Sequence, residues 1–249
     1  MVFVHGFRGK AVATWDEFSS SGHTDLWWRD TDMLFVGYDS AHDNITAVAD
    51  RVRTNLRKFY PKPHTPAMNL GGTTPRDDTS TPYGELVALG HSLGGLVLRR
   101  AMADAAQDRL DSETAGEKPQ HQEILNAKLR LFSPASAGFR PAGMLGLVKA
   151  SGLGTVVEMY LRRSSAYTDL QPGSELLVTT RNRTEQLAPQ FSQLRARILW
   201  ANPDDVVNTE RYNTDFVAET VDQQSHSTVC KPNPQYGLPL HFGATGRRP

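Results

Sequence analysis

The stretch "ELVALGHSLGGLVLRRAMADA", residues 85–105, restricts the fold more than any other part of the chain. An apolar run of strand length ends at Gly90. Leu93, Leu96, Val97, Ala101 and Ala105 then repeat on one helical face, so His91 and Ser92 are the whole connection. A helix that starts this abruptly must fold back along its own strand, and the glycines at 90 and 94 are small enough to let the two approach. Such a strand–turn–helix belongs in a parallel sheet, whose neighbouring strands need long, usually helical, crossovers.

Four other apolar runs read as strands: "MVFV" at 1–4, "MLFVGY" at 33–38, "KLRLFS" at 128–133 and "ARILWA" at 196–201. Between the second of these and the strand at 85–90, Ile45, Val48, Ala49, Val52, Leu56 and Phe59 recur at helical spacing, and Pro61 and Pro63 end the run. The alternation predicts an α/β fold, a mainly parallel sheet with helices on both faces. At 249 residues, 39% of them hydrophobic, the chain suits one core, and a single domain over 1–249 is expected. Residues 61–82, rich in Pro, Thr and Gly, read as a surface insertion and residues 111–122 as a solvated loop. The tail "YGLPLHFGATGRRP" reads as a fraying end.

Charge and cysteine content narrow the function classes. The 27 basic and 27 acidic residues cancel, and no dense Lys/Arg block occurs, which argues against nucleic acid or an anionic membrane surface as partner. Cys230 is the single cysteine, so no intrachain disulfide can form, and no Cys/His cluster has zinc-site spacing. No run of about 18 apolar residues could span a bilayer. The start "MVFVHGF" lacks the order of a secretory signal, and a cytoplasmic location is expected.

Ser92, between Gly90 and Gly94 at the strand-to-helix corner, has two readings. It could be the N-cap of the helix, a common role for serine. It could also be a nucleophile thrust outward by a strained turn, with the unpaired N–H groups of the helix start beside it to receive a developing oxyanion. A serine nucleophile needs a general base, and the base needs a carboxylate to orient it.

"GHSLGG" on a strand–turn–helix, with "VFVHGF" upstream, resembles the α/β-hydrolase fold and its lipase and esterase members, over residues 1 to about 232. That resemblance implies the chain order Ser, acid, His. It makes His226, in "SHSTVCKP" after the last strand, the base, with His241 as the runner-up. Two adjacent carboxylates follow the strand "ARILWA" in "ANPDDVVN", and location alone suits either. The family's loop pattern "G-x-x-D-x-V-V" selects Asp204 over Asp205, with Ala201 standing in the Gly position as a departure. It implies an oxyanion hole from the amides of Leu93, after the nucleophile, and Phe7, after "HG". His91 suits packing or hydrogen bonding, and His5 a structural role. A second departure is that the family carries a strand hairpin ahead of the "HG" strand, within which this sequence opens.

Between "KLRLFS" and "DLQPGS" lies a long stretch that is apolar from Met144 to Leu161 and carries several glycines. A cap or lid over 138–168 is expected there, with ordinary core helices as the alternative. Trp15, Trp27 and Trp28 are expected to pack against the sheet edge. Together these features imply a serine hydrolase of small-molecule or lipid carboxylic esters, working through Ser92, His226 and Asp204, with no metal and no other cofactor. The same machinery would serve an acyltransferase, thioesterase or amidase, and the same fold a non-catalytic binding domain.

Overall fold

Five strands form where apolar runs occur: β1 (Val2–Val4), β2 (Leu34–Val36), β3 (Leu86–His91), β4 (Ala127–Phe132) and β5 (Arg197–Asn202). The sixth, β6 (Glu219–Asp222), carries no apolar run to announce it; "ETVD" lies at the sheet's margin and buries one side chain, Val221. The structure is a computed structural model, and it describes residues 1–20, 30–68, 78–140 and 165–248. Among these, the strands form one wholly parallel sheet in the order β2-β1-β3-β4-β5-β6. The chain steps one way from β1 to β2 and the other way from β1 to β3. The reversal falls between β1 and β3, and the crevice at their C-terminal ends is where open parallel sheets bind ligands.

Helices are α1 (Glu17–Ser20), α2 (Ile45–Leu56), α3 (Leu93–Ala115), α4 (Ser165–Asp169), α5 (Glu175–Leu187) and α6 (Leu238–Thr245). Alternate residues of each strand feed opposite cores, as a pleat requires. Leu86 and Ala88 of β3 join α2, α3 and α5 on one face, while Val87 and Leu89 join Phe3, Trp15, Phe18 and α6 on the other. Asn44 caps α2 by accepting from the Ala47 amide at 3.1 Å, and Ser174 of "DLQPGS" caps α5.

Two segments differ from expectation. Residues 111–115, read as solvated loop, continue α3, because Gln107–Asp111 and Arg109–Glu113 contacts support the last turns and Gly116, at φ 71°, ends them. The tail forms α6: Leu240 and Phe242 are buried, the Phe242 ring centroid lying 5.2 Å from that of Phe132. Its apolar residues outweigh the Gly and Pro content, and Pro239 sits in the first turn, where a missing N–H costs nothing.

Trp15 is buried against Phe3, Phe18 and Phe132. Trp27, Trp28 and His23, residues 69–77 of the 61–82 insertion, and residues 141–164 of the expected cap lie outside the described residues. No helix among the described residues is long and apolar enough to cross a membrane.

Candidate active site

Ser92 holds φ 54° and ψ −121°, a backbone conformation that costs a non-glycine residue about 1–3 kcal/mol. Neighbouring backbone holds it there: the Ser92 amide donates to the Phe132 carbonyl at 3.0 Å, and the Ala135 amide donates to the Ser92 carbonyl at 3.0 Å. The glycines around the corner follow from contact. A Cβ on Gly94 would lie 2.1 Å from the Val4 carbonyl oxygen, and one on Gly90 would lie 2.7 Å from the Gly95 Cα. The Ser92 side chain does not cap α3.

Its hydroxyl instead faces His226 in the loop after β6. Ser92 Oγ donates to His226 Nε2 at 2.9 Å, while His226 Nδ1 donates to Asp204 Oδ2 at 3.0 Å. Asp204 sits in the loop after β5, and its Oδ1 accepts from the amides of Val206 and Val207 at 3.0 and 3.1 Å. The three side chains are buried, and Asp205 is exposed. The adjacent acids point apart because a turn sends successive side chains in different directions.

The chain has the α/β-hydrolase fold. Its strand order and the serine corner at the reversal between β1 and β3 decide this. In this fold, the loops after β3, β5 and β6 bring Ser92, Asp204 and His226 to one crevice. Solved structures of similar shape include phospholipase PlaB from Legionella pneumophila, at 16% identity and a TM-score of 0.48, covering 80% of this chain and 38% of that one. An esterase from M. tuberculosis is 15% identical with a TM-score of 0.49, over 99% of this chain and 84% of that one. A lipase-esterase related protein from Clostridium acetobutylicum is 11% identical with a TM-score of 0.47, over 98% and 92%. No protein-family model matches the sequence, and the comparison with curated proteins found no match. The chain thus spans well under half the length of PlaB.

The loop after β1 closes the crevice. A Cβ on Gly6 would lie 2.7 Å from the Ser92 Cβ, so the backbone of the "HG" turn rests directly on the serine. The amides of Phe7 and Leu93 have no hydrogen-bond acceptor among the described residues. His5 fixes the turn: its Nε2 accepts from the Tyr38 amide at 3.4 Å and its carbonyl from the Tyr38 hydroxyl at 2.7 Å. The Phe7 ring meets Phe139 at 6.2 Å.

Two residues near the site carry more than their sequence context announces. His91 Nε2 donates to the backbone carbonyl of His226 at 2.7 Å, tying the β6 loop to the end of β3. Burial, followed by the nearby His226 charge, pushes the His91 pKa down to about 3, so it stays neutral. Ser133, at φ 39°, accepts from the Ala201 amide at 3.0 Å and hydrogen-bonds Asp204. Burial penalises the Asp204 carboxylate, but the bonds from His226, Ser133 and the Val207 amide outweigh it and hold its carboxyl below the usual range. Only the positive φ marks Ser133, and no sequence pattern encodes that. His241 lies on α6, whose Leu240 and Phe242 join the core of the opposite face, and the ring that bonds Ser92 and Asp204 is that of His226. Among the described residues, no three His, Cys, Asp or Glu side chains converge as a metal site.

Proposed function

We propose that this chain is a serine hydrolase that cleaves carboxylic esters through an acyl-enzyme. The observation that carries the reading is the unbroken series Ser92 Oγ, His226 Nε2, His226 Nδ1 and Asp204 Oδ2, with contacts of 2.9 and 3.0 Å. Donation from Nδ1 to the carboxylate leaves Nε2 as the acceptor facing the serine hydroxyl.

In this reading Ser92 Oγ bonds to the ester carbonyl carbon as its proton passes to His226 Nε2. The carbonyl oxygen becomes an oxyanion received by the Leu93 and Phe7 amides. His226 returns the proton to the departing alkoxide as the C–O bond breaks, leaving an acyl-serine and a free alcohol. Water repeats the sequence: His226 takes its proton, hydroxide adds to the acyl carbon, and Ser92 leaves reprotonated. Asp204 stays ionised and stabilises the imidazolium that forms twice in each cycle.

The test is labelling with a fluorophosphonate probe together with turnover of an activated short-chain ester. Labelling confined to Ser92, with turnover abolished in both Ser92→Ala and His226→Ala and no further loss in the double variant, is the expected result. Labelling of Ser92→Ala at another residue, or retained turnover in it, overturns the reading. Acyl transfer to an added alcohol in preference to water would move the activity to the acyltransferase class on the same residues.

A further inference from the structure

The sequence has no dense basic block, yet the fold gathers one. At the N-terminal ends of β4 and β5, the opposite end of these strands from the serine corner, a cleft of about 670 Å³ is lined by Lys128, Arg130, Arg195, Arg197 and Arg247, with no carboxylate in its lining. The cations come from β4, from the approach to β5 and its first residue, and from the turn after α6, so linear charge patterning could not reveal them. Arg130 and Arg197 stand in register on adjacent strands. A Cβ on Gly246 would lie 2.5 Å from both Arg130 Nε and Arg197 Cδ, so the two side chains cross beneath the same turn.

Arg130 is 7% exposed, and its Nε has no hydrogen-bond partner. Its Nη1 makes one contact, 3.5 Å from the Leu129 carbonyl, at the limit of a hydrogen bond. Arg197 has no carboxylate partner among the described residues. Its guanidinium lies 4.2 Å from the Phe216 ring centroid, and Arg195 lies 4.4 Å from the same ring. Lys128 is paired with Glu85 at 2.6 Å, and Arg195 Nε donates to the Thr214 carbonyl at 2.8 Å. The carbonyls ending α6 bring partial negative charge near Arg130, which offsets a fraction of one cation where two guanidinium groups adjoin. Burial, and then Arg197, push the Arg130 pKa below the ordinary arginine value, and Glu85 opposes this only in part.

A buried guanidinium with idle donors beside a second one is costly unless an anion joins them, and the planar fork of arginine suits phosphate oxygens. We propose that this cleft is an anion site for a phosphate group, held between Arg130 and Arg197 with Arg195 and Arg247 at the rim. The group could be presented by a soluble phosphorylated compound or by a lipid headgroup, two sources of one chemistry.

The whole protein would be titrated with inorganic pyrophosphate at constant ionic strength, by calorimetry and by thermal unfolding, and sedimented with phosphatidic acid vesicles against phosphatidylcholine vesicles. Saturable pyrophosphate binding that raises Tm, weakened roughly tenfold or more in Arg197→Gln, is expected for a soluble ligand. Sedimentation with phosphatidic acid alone, lost in Arg197→Gln, assigns the site to a headgroup. Arg130→Met separates binding from folding: without ligand it should unfold no earlier than the parent, since it removes an unpartnered buried charge, and it should lose the pyrophosphate response. No saturable response to either probe, or a response unchanged in both variants or matched by sodium chloride, overturns the proposal.

Discussion

Arg99 on α3 and Asp215, in the loop between β5 and β6, form a bidentate ion pair at 3.1 and 2.6 Å, with both side chains fully buried. Arg99 Nε also donates to Ser136 Oγ, while Asp215 accepts from the amides of Ala196 and Tyr212. The helix that carries Ser92 is thereby joined to the loop that carries Asp204. Arg99→Met strands a buried carboxylate and should cost about 3–5 kcal/mol, whereas Arg99→Met with Asp215→Leu should recover only part of it, because the Ala196 and Tyr212 amides then lose their acceptor. Urea unfolding of the two variants checks this, and equal losses in both would count against the pair as the source.

Asp204→Asn should lower kcat by about 10⁴, because an amide cannot fix the tautomer or stabilise the imidazolium. Asp205→Asn should change little, its side chain being exposed. Assayed side by side on one ester, a large loss confined to Asp205→Asn would remove Asp204 from the proposed role.

Gly94→Ala should destabilise by about 1–3 kcal/mol or more, because its Cβ would lie 2.1 Å from the Val4 carbonyl oxygen, and backbone atoms yield less readily than side chains. Thermal unfolding reads this directly. An unchanged Tm would mean that α3 and β1 can separate without cost.

His91 predicts an acid-sensitive fold. Its folded pKa of about 3 lies below the ordinary 6.5, so between these values the unfolded chain binds a proton that the folded one refuses. This contribution is intact above pH 6.5 and declines by about 1.4 kcal/mol per pH unit as the pH falls toward 3. Urea midpoints should therefore fall more steeply between pH 7.5 and pH 5, two values of about the right span, in the parent than in His91→Gln. Parallel declines would show that His91 is not the group responsible.

Much of the fold was legible because apolar runs and helical spacing write themselves along the chain: β1 to β5 and the 45–56 helix lie on their patterns. β6 escaped because a marginal strand needs just one inward side chain, Val221. The tail escaped because Gly and Pro suggest loops wherever nothing shows what Phe242 packs against. Around the serine, the corner itself could be read from the spacing of its glycines, but the meeting of residues 92, 204 and 226 follows from strand order, which no local pattern records. His91 and Ser133 act through one backbone carbonyl and one unusual φ, features of conformation rather than composition.

The bond from His91 reaches the main chain of residue 226, not its ring. Position of the loop and identity of the side chain are therefore held by different atoms. Cutting residue 226 back to alanine leaves the tether intact and vacates a slot of imidazole shape between the Ser92 hydroxyl and the Asp204 carboxylate. If Ser92 and His226 act as proposed, such a variant would be a receptacle for a diffusible base: free imidazole, entering the slot, would meet the same two partners the missing ring had, and the protein would borrow from solution the group it no longer carries.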